Sequence, residues 1–314
     1  MATRLASKAV GLQRVLTKLT YPRRPPQGHQ GGRIVTPTHW QKIGGIFPTE
    51  PWKGDALKLD DEEEVVEVSV TDARTLPEPP TLSRNGFELR ATRRPSTDLY
   101  DDAAVVESYY AQTARLVEEA TGASKCFVFQ HMRRDSSMHN KESTAAQNTA
   151  GANAHGAVAR VHADYTTSNA PKKLSELEAA GLVPRGVAEG RRWAIINVWR
   201  SLDDLPIEEK PLAVLDAATV AHADMFTYAL INEGPPALVG FNNSVGFSPT
   251  HKWFYFSKME ADEALLFYTY DGSSAPPRFV FHSAIDVQAD DAKAEQGSSV
   301  RPRRSIECRC LAVW

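Results

Sequence analysis

The sequence contains little cysteine: three residues in 314, at positions 126, 308 and 310. An odd and sparse set excludes the disulfide framework typical of small secreted domains and indicates a reducing environment. Cys308 and Cys310 lie two positions apart, a spacing that puts both on one face of a strand without making a zinc ligand set. We therefore interpret all three as small apolar core residues of an intracellular protein, cytoplasmic unless a targeting segment is present.

Two further absences narrow the function. No apolar run approaches the roughly 20 residues that span a bilayer, so we expect no integral membrane contact. The net charge of -3, from 36 basic and 39 acidic residues, gives no general attraction for nucleic acid, and no basic-aromatic array is present. A hydrophobic content of 42% with 24% charged residues is typical of a globular protein. We therefore set nucleic-acid partners aside.

Acidic residues are absent from the first 49 positions. Basic residues alternate there with leucines in a loosely amphipathic helical pattern, at Leu5, Leu12, Leu16 and Leu19. This composition is typical of an organellar transit peptide, which would occupy residues 1–24 and direct the protein to a mitochondrion or plastid. It is equally typical of a basic helix that covers part of a domain. We predict a basic, Pro/Gly-rich extension over residues 1–60 and a single domain over residues 61–314.

Strand signals dominate that domain. Alternating or short apolar runs separated by turns predict strands in these segments: EEEVVEVSVTDAR, NGFELR, KCFVFQHMR, RWAIINVWR, PLAVLDA, KWFYFS, EALLFYTYD, PRFVFHSA and RRSIECRCLAV. Helices are predicted over residues 101–122, which end at Gly122, and around residues 216–228. A parallel α/β sheet needs a helix between most strands, and these are missing. The pattern predicts a mainly β fold with flanking helices (α+β), a sandwich or jelly roll.

A tract rich in Ser, Thr, Asn, Gly and Ala fills residues 134–160. A loop of more than about 15 residues inside a domain is usually a lid or disordered. We interpret this tract as a lid over a site.

His162 and Asp164 follow that loop directly, in the stretch RVHADYTT. On a strand, side chains two positions apart project to the same face, so the imidazole and the carboxylate converge. Two histidines and one carboxylate on one face of an octahedron form the site of non-haem Fe(II) oxygenases, and zinc is less suited to that arrangement. Alone the H-x-D pair is also compatible with two solvated polar residues. A second histidine, distant in sequence, is needed to distinguish a metal site from two solvated residues.

Three downstream histidines are candidates for that role. His222 lies in the predicted helix, where packing or exposure accounts for it. His251 starts a strand, where a hydrogen-bonding role accounts for it. His282 lies inside an apolar strand, either as a hydrogen-bonded core residue or as a ligand.

The last strand places Arg303, Ser305, Glu307 and Arg309 at alternate positions, on one face. A buried arginine there needs an anionic partner. Glu307 is one candidate, and the other is the distal carboxylate of 2-oxoglutarate, which an arginine and a hydroxyl together would bind.

These segments resemble one family. The motifs that carry the resemblance occur in order: GFELR at Gly86, VHADYT at Val161, INVWRSL at Ile196, KPLAVLDA at Lys210, HKWFYFSKMEADEALLFYTYD at His251 and the terminal PRRSIECR. From about Val65 to the C-terminus the chain is similar to AsaB-type hydroxylase/desaturases of fungal and bacterial secondary metabolism. That family includes gibberellin desaturases and an endoperoxide-forming enzyme, and it belongs to the Fe(II)/2-oxoglutarate-dependent oxygenases. Phe281 differs from the family, since many members have a proline before the third ligand.

The resemblance implies a double-stranded β-helix (jelly-roll, cupin-like) core and a function. Fe(II) would be held by His162, Asp164 and His282, with 2-oxoglutarate and O2 as co-substrates. Arg303 and Ser305 would anchor 2-oxoglutarate, with Arg309 as the alternative because an acidic, Ala-rich insertion before Arg303 blurs the alignment. The dioxygenase would hydroxylate, desaturate or oxidatively cyclise a small metabolite while 2-oxoglutarate becomes succinate and CO2.

Cationic and polar residues around the predicted site suit an anionic or amino-acid-derived substrate. The candidate substrate-binding residues are Asn197, Trp199, Arg160 and Arg133. Two other functions remain open from the sequence: a catalytically inactive jelly-roll binding protein, and a cupin-like hydrolase or isomerase that uses zinc or manganese without a co-substrate.

Overall fold

A computed structural model describes residues 12–22, 33–35, 63–137, 154–232, 238–273, 278–287 and 301–314. The strands in these ranges are β1 (Arg14–Pro22), β2 (Arg33–Val35), β3 (Glu63–Asp72), β4 (Phe87–Ala91), β5 (Lys125–Asp135), β6 (Ala154–His155), β7 (Trp193–Ser201), β8 (Leu212–Leu215), β9 (Met225–Asn232), β10 (Leu238–Val245), β11 (Trp253–Tyr255), β12 (Glu263–Asp271), β13 (His282–Ala284) and β14 (Arg304–Val313). The helices are α1 (Leu82–Asn85), α2 (Asp102–Ala104), α3 (Tyr110–Thr121) and α4 (Asn169–Ala179). None of these helices has the length and apolar character needed to cross a membrane.

Two large sheets make up the architecture. The first has the strand order β1-β3-β11-β8-β13, and the second has the order β4-β12-β7-β14-β5-β6. A small third sheet has the order β10-β9-β2. The neighbours in these sheets are mostly antiparallel and mostly distant in sequence, as in a jelly roll. The predicted jelly-roll core and mainly β class are confirmed.

The central strands are mostly apolar and buried on both faces, because both faces are covered. Residues 194–201 of β7 and 264–271 of β12 are buried throughout. One apolar cluster joins the two sheets, with Leu19 and Val70 from the first sheet against Ile195 and Tyr270 from the second. Another cluster packs Val105 and Val117 of the helical segment against the second sheet. The candidate site therefore forms between the two sheets and not on a free surface.

The helical segment over residues 102–121 is continuous, with one π-helical turn at Val105–Tyr109 between α2 and α3. The Asp101 carboxylate accepts hydrogen bonds from the backbone N–H groups of Ala103 and Ala104, so it caps the N-terminus. Gly122 ends the segment in the left-handed conformation, at φ 69°. The predicted helix over residues 101–122 is confirmed.

Two local predictions need correction, and one helix was not predicted. The helix predicted around residues 216–228 is wrong: two 3-10 turns, Ala217–Thr219 and His222–Asp224, lead into β9. Helix α4 was not anticipated. Leu16 and Leu19 do not lie on a helix either, because residues 14–22 form β1, which pairs with β3 and buries Leu19 between the sheets. Alternation at Leu19 and Tyr21 is the strand signal that the helical pattern obscured.

Several predicted segments lie outside the described residues. These are residues 1–11 of the predicted targeting segment, residues 138–153 of the predicted lid, and residues 288–300, which contain most of the acidic insertion. The domain boundary at residue 60 and the lid remain predictions.

Candidate metal centre

His162 and His282 lie side by side at the edge of the first sheet. Two backbone hydrogen bonds join them: His162 N–H to the His282 carbonyl, N···O 3.2 Å, and His282 N–H to the His162 carbonyl, 2.9 Å. The neighbouring Ala163 pairs in the same way with Asn243. Bridges of this kind hold residues 162–163 extended, so the side chains at positions 162 and 164 converge as a strand would make them. The predicted convergence of the His162 and Asp164 side chains therefore does not require a full β-strand, because isolated β-bridges at residues 162 and 163 are enough.

The three side chains form a compact donor set. One ligand atom each from His162, Asp164 and His282 lies within 4.8 Å of the others. His162 Nε2 is 3.8 Å from Asp164 Oδ1, and the two imidazole centroids are 4.4 Å apart. Each imidazole Nδ1 lies close to a backbone carbonyl, His162 to Arg160 at 2.8 Å and His282 to Val280 at 3.3 Å. A proton on Nδ1 leaves the Nε2 lone pair free for a metal.

Burial sets the charges of this donor set. Desolvation, followed by the neighbouring His282, lowers the pKa of His162 to about 3, and burial also lowers the pKa of His282. Burial alone would raise the pKa of Asp164, but the Arg309 guanidinium and the two imidazoles hold that pKa well below its usual range. Near neutral pH the centre therefore has two neutral imidazoles and one carboxylate, the protonation states that ligation requires.

The other two candidate histidines do not reach this centre. His222 is exposed in a 3-10 turn. His251 has its Nε2 3.3 Å from Asp224 Oδ2, and burial lowers its pKa. Among the described residues, the one cluster of potential metal ligands is the set of His162, Asp164 and His282.

A pocket opens beside the donor set, and two arginines form part of its wall. Its lining includes Arg134, Arg303, Trp199, Glu307, Val158, Leu212 and Ala284, besides the three donor residues. Arg303 donates from Nη1 to the Lys210 carbonyl, 2.6 Å, and its guanidinium lies 5.6 Å from the Trp199 ring centroid. Burial, followed by the charge of Arg134, lowers the pKa of Arg303 to about 9.

Arg303 Nε and Ser305 Oγ, near the pocket, are among the buried polar atoms of the described residues that have no hydrogen-bond partner. Buried polar atoms are rarely left unpaired, since each costs about 1–3 kcal/mol. An arginine and a hydroxyl in this state fit a carboxylate that enters the pocket. The donor set and this pair together fit Fe(II) with 2-oxoglutarate.

Arg309 is engaged elsewhere. Its Nη2 lies 3.1 Å from Asp164 Oδ1, its Nε lies 3.5 Å from Glu307 Oε1, and its Nη1 donates to Gln130 Oε1 at 3.3 Å. Burial raises the pKa of Glu307, and the charge of Asp164 raises it further. The carboxylates of Asp164 and Glu307 thus both face the Arg309 guanidinium. The arginines that line the pocket are Arg134 and Arg303.

The candidate substrate residues have different surroundings. Trp199 lines the pocket, and Asn197, two positions earlier on β7, donates from Nδ2 to Asp164 Oδ2 at 2.9 Å. Arg160 forms an ion pair with Glu63 instead. Arg133 lies on the opposite face of the second sheet, where it contacts Asp102 and the Leu99 carbonyl. The structure therefore brings Asn197 and Trp199 to the centre but neither Arg160 nor Arg133.

Two contributors were not among the candidate site residues. Arg134, the neighbour of Arg133, is the residue of β5 that faces the pocket. Alternation distinguishes the two positions only if one face of a strand is polar, and here both faces carry an arginine. Lys210 adopts φ 48°, which is uncommon for a residue with a side chain, and its carbonyl accepts from Arg303. The following Pro211 disfavours helical backbone at Lys210, but it does not predict this conformation.

Known proteins resemble the chain over most of its length. The family described as Oxidoreductase/YMDC permease-like domain matches residues 47–313. The hydroxylase/desaturase efuI of Hormonema carpetanum is 33% identical over 264 residues, which cover 79% of this chain and 83% of efuI. The hydroxylase/desaturase asaB of Aspergillus flavus is 34% identical over 140 residues, 39% of this chain and 56% of asaB.

A third relative has a solved structure. The Fe(II)/2-oxoglutarate-dependent dioxygenase nvfI of Aspergillus novofumigatus is 30% identical over 220 residues, which cover 67% of this chain and 68% of nvfI. A structure of the iron and alpha-ketoglutarate-dependent endoperoxidase NvfI superposes with a TM-score of 0.70 at 23% identity, covering 97% of this chain and 99% of that one. The chain thus belongs to the AsaB-type hydroxylase/desaturase family and is a non-haem Fe(II)/2-oxoglutarate-dependent dioxygenase.

Proposed function

We propose that His162, Asp164 and His282 hold Fe(II), that Arg303 and Ser305 receive the distal carboxylate of 2-oxoglutarate, and that the adjoining pocket binds a small specialised metabolite with an anionic group. The observation that carries the proposal is the compact donor set beside a buried arginine and hydroxyl with unpaired polar atoms. Together they fit a chelated metal and a carboxylate that approaches from the pocket side.

The chemistry of C–H oxidation belongs to the bound group, since Fe(II) with 2-oxoglutarate and O2 supplies an oxidant strong enough to remove a hydrogen atom from substrate. The protein residues bind and orient. His162 and His282 present neutral imidazoles because their Nδ1 atoms face backbone carbonyls. Asp164 supplies the single anionic ligand, and the two sheets exclude bulk water from the three side chains.

Arg303 is favoured over Arg309 as the 2-oxoglutarate anchor. Arg309 already faces Asp164 and Glu307, and a guanidinium in that position has little attraction left for a further carboxylate. In the part of the chain that the structure describes, no ion pair joins Arg303 to a carboxylate. A buried charge without an oppositely charged partner is costly, so the surroundings of Arg303 favour an anion.

Charge also supports an anionic substrate. Fe(II) and the 2-oxoglutarate dianion together add no net charge, and the carboxylates of Asp164 and Glu307 both face Arg309. Arg134, partly buried, donates from Nη1 to the Gly156 carbonyl at 3.0 Å and has no ion pair among the described residues. We assign this remaining positive charge to a carboxylate or similar group of the substrate.

Succinate formation tests the proposal. The purified chain with Fe(II), ascorbate and 2-oxoglutarate is expected to release succinate, and release is expected to rise with compounds that enter the pocket. Small carboxylates are compared with their matched amides, for example benzoate with benzamide. A stronger response to the carboxylates, lost in Arg134→Gln, supports the anionic substrate. Equal responses to acid and amide contradict it without affecting the metal site.

The compartment is part of the proposal as well. We propose an intracellular location, supported by three cysteines that are buried and free of disulfides. Whether that location is the cytoplasm or an organelle depends on the predicted targeting segment.

A further inference from the structure

The Asp164 carboxylate is held at both oxygens by neighbouring strands of the second sheet. Arg309 Nη2 on β14 lies 3.1 Å from Oδ1, and Asn197 Nδ2 on β7 donates to Oδ2 at 2.9 Å. Arg309 and Asn197 are direct cross-strand partners, so their side chains leave the same face of the sheet at the same level. A carboxylate that bonds to two fixed donors cannot rotate freely.

Arg309 is itself immobilised. Gln130 is the direct partner of Arg309 on the other neighbouring strand, β5, and its Oε1 accepts from Nη1 at 3.3 Å. Glu307, two residues earlier on β14, lies 3.5 Å from Nε. The guanidinium therefore has three contacts: Gln130 on β5, Glu307 on β14, and Asp164, the residue it holds. Such a planar fork, unlike an ammonium, fixes direction as well as charge.

We propose that Arg309 and Asn197 are positioning residues for the metal centre: they orient the Asp164 carboxylate toward the Nε2 atoms of the two histidines before the metal arrives. The inference rests on the proposed function, because it assumes that Asp164 is a ligand. It goes beyond that function by giving Arg309 a role outside 2-oxoglutarate binding and Asn197 a role outside substrate binding. Groups that hold a metal ligand in this way typically contribute ten- to hundredfold to metal affinity.

The two donors make different contributions. Arg309 supplies a positive charge and a direction, whereas Asn197 supplies a neutral hydrogen bond. Arg309→Gln is therefore expected to weaken metal binding by about ten- to hundredfold, and Asn197→Leu by about tenfold. Arg309→Lys keeps the charge but cannot contact Asp164 and Gln130 together in the same geometry, so it is expected to restore part of the affinity.

Cobalt(II) binding to the full-length apo protein tests the proposal without turnover. Calorimetric titration gives the affinity, and the visible ligand-field absorption of bound Co(II) reports the geometry of its ligands. The expected result is weaker binding and an altered spectrum for Arg309→Gln, partial return of both for Arg309→Lys, and a smaller change in the same direction for Asn197→Leu. Arg304→Gln, an exposed arginine of the same strand, is the matched control and is expected to bind Co(II) as the parent does.

Three outcomes would overturn the inference. One is an unchanged Co(II) affinity and spectrum in Arg309→Gln. Another is unchanged metal binding with weakened 2-oxoglutarate binding in that variant, which would make Arg309 the co-substrate anchor. If Arg309→Gln does not fold, Asn197→Leu decides alone, and parent-like Co(II) binding in that variant contradicts the proposal. Failure of the ligand assignment itself is distinguishable, because His162→Ala would then retain Co(II) affinity.

Discussion

Single residues define the chemistry of this protein, and their charges follow from burial. His162 and His282 remain neutral because desolvation disfavours their charged forms, while Arg309 keeps Asp164 ionised. The spacing of His162 and Asp164 alone predicted that their side chains converge. His282 was assigned as the third metal ligand only through the family resemblance. Arg134 could not be distinguished from Arg133, because adjacent arginines on a strand leave no polar face to identify the direction of the site.

The pH dependence of the apo protein tests the neutral histidines. The pKa of His162 is about 3 in the folded protein, against 6.5 for an ordinary histidine, so the unfolded chain binds the proton more readily. Stability is therefore expected to be complete above about pH 6.5 and to be lost progressively as the pH falls toward about 3. Urea unfolding in the presence of a chelator, between about pH 7 and about pH 4.5, measures the dependence.

The matched variant for that experiment is His162→Gln, which is expected to show a shallower loss of stability over the same range. Glu307 acts with the opposite sign, because its pKa is raised and its contribution is lost as pH rises. It is present in both proteins, so the comparison removes its effect. Identical slopes in parent and variant would show that His162 is not buried in its neutral form.

Arg303 is the residue on which 2-oxoglutarate binding is expected to depend. Removing one partner of a buried charged pair costs about 2 kcal/mol or more, so Arg303→Gln is expected to weaken 2-oxoglutarate binding by about thirtyfold. Calorimetry with the Mn(II)-loaded protein measures this without turnover. Arg304→Gln serves as the control. A parent-like 2-oxoglutarate affinity in Arg303→Gln would mean that another arginine anchors 2-oxoglutarate.

Among the secondary-structure elements, strands with a clear apolar run were predictable, including the short β8 and β11, whereas the longer β1, β9 and β10 were not. The runs that became β3, β7, β12 and β14 have clear apolar patterns, since each is covered by a sheet or a helix. The segment at residues 216–228 looked helical because alanines surround His222, but Asp216 caps a 3-10 turn there instead. Tertiary pairing of β9 with β10 then overrides local helix propensity.

Two glycines that end helices, Gly86 and Gly122, allow a comparison of how much a Cβ atom at a helix end costs in stability. Both have positive φ, 84° for Gly86 and 69° for Gly122, but only at Gly86 would a Cβ atom meet a neighbour, Val280 Cγ2 at 2.7 Å. Gly122→Ala is expected to cost about 1 kcal/mol, and Gly86→Ala about 1–3 kcal/mol more. Urea unfolding measures both.

The two glycine substitutions are also expected to differ in their effect on metal binding. Val280 lies two residues before His282, and its carbonyl faces His282 Nδ1. Gly86→Ala is therefore expected to lower metal affinity, whereas Gly122→Ala leaves it unchanged. Equal stabilities for the two variants would mean that the contact with Val280 relaxes without cost.

At the scale of the whole molecule, the metal centre joins the two sheets. His282 belongs to the first sheet, while Arg309 and Asn197 of the second sheet hold Asp164. Pairing between such distant segments explains why sequence patterns predicted the class of fold but not which strands would face each other. The resemblance to a known family supplied the jelly-roll core and the three ligand residues, but not the pairing of the strands.

Metal binding should therefore stabilise the entire fold. At a free metal concentration of about one hundred times Kd, linkage adds about 2.7 kcal/mol to the free energy of unfolding. For a chain of this size we expect a rise in Tm of about 5 °C with Mn(II) or Co(II). His282→Ala is expected to abolish the rise, and a metal-dependent Tm that persists in this variant would place the ion elsewhere.

The most direct test of the central claim is an anaerobic titration with Fe(II) and 2-oxoglutarate, followed by the visible charge-transfer absorption of the chelate. The account predicts that the parent protein develops this absorption with one Fe(II) and one 2-oxoglutarate per chain. It also predicts that His162→Ala and Asp164→Ala do not develop it, while Arg303→Gln requires far more 2-oxoglutarate. The same absorption at parent affinity in His162→Ala, or none in the parent, would contradict the account.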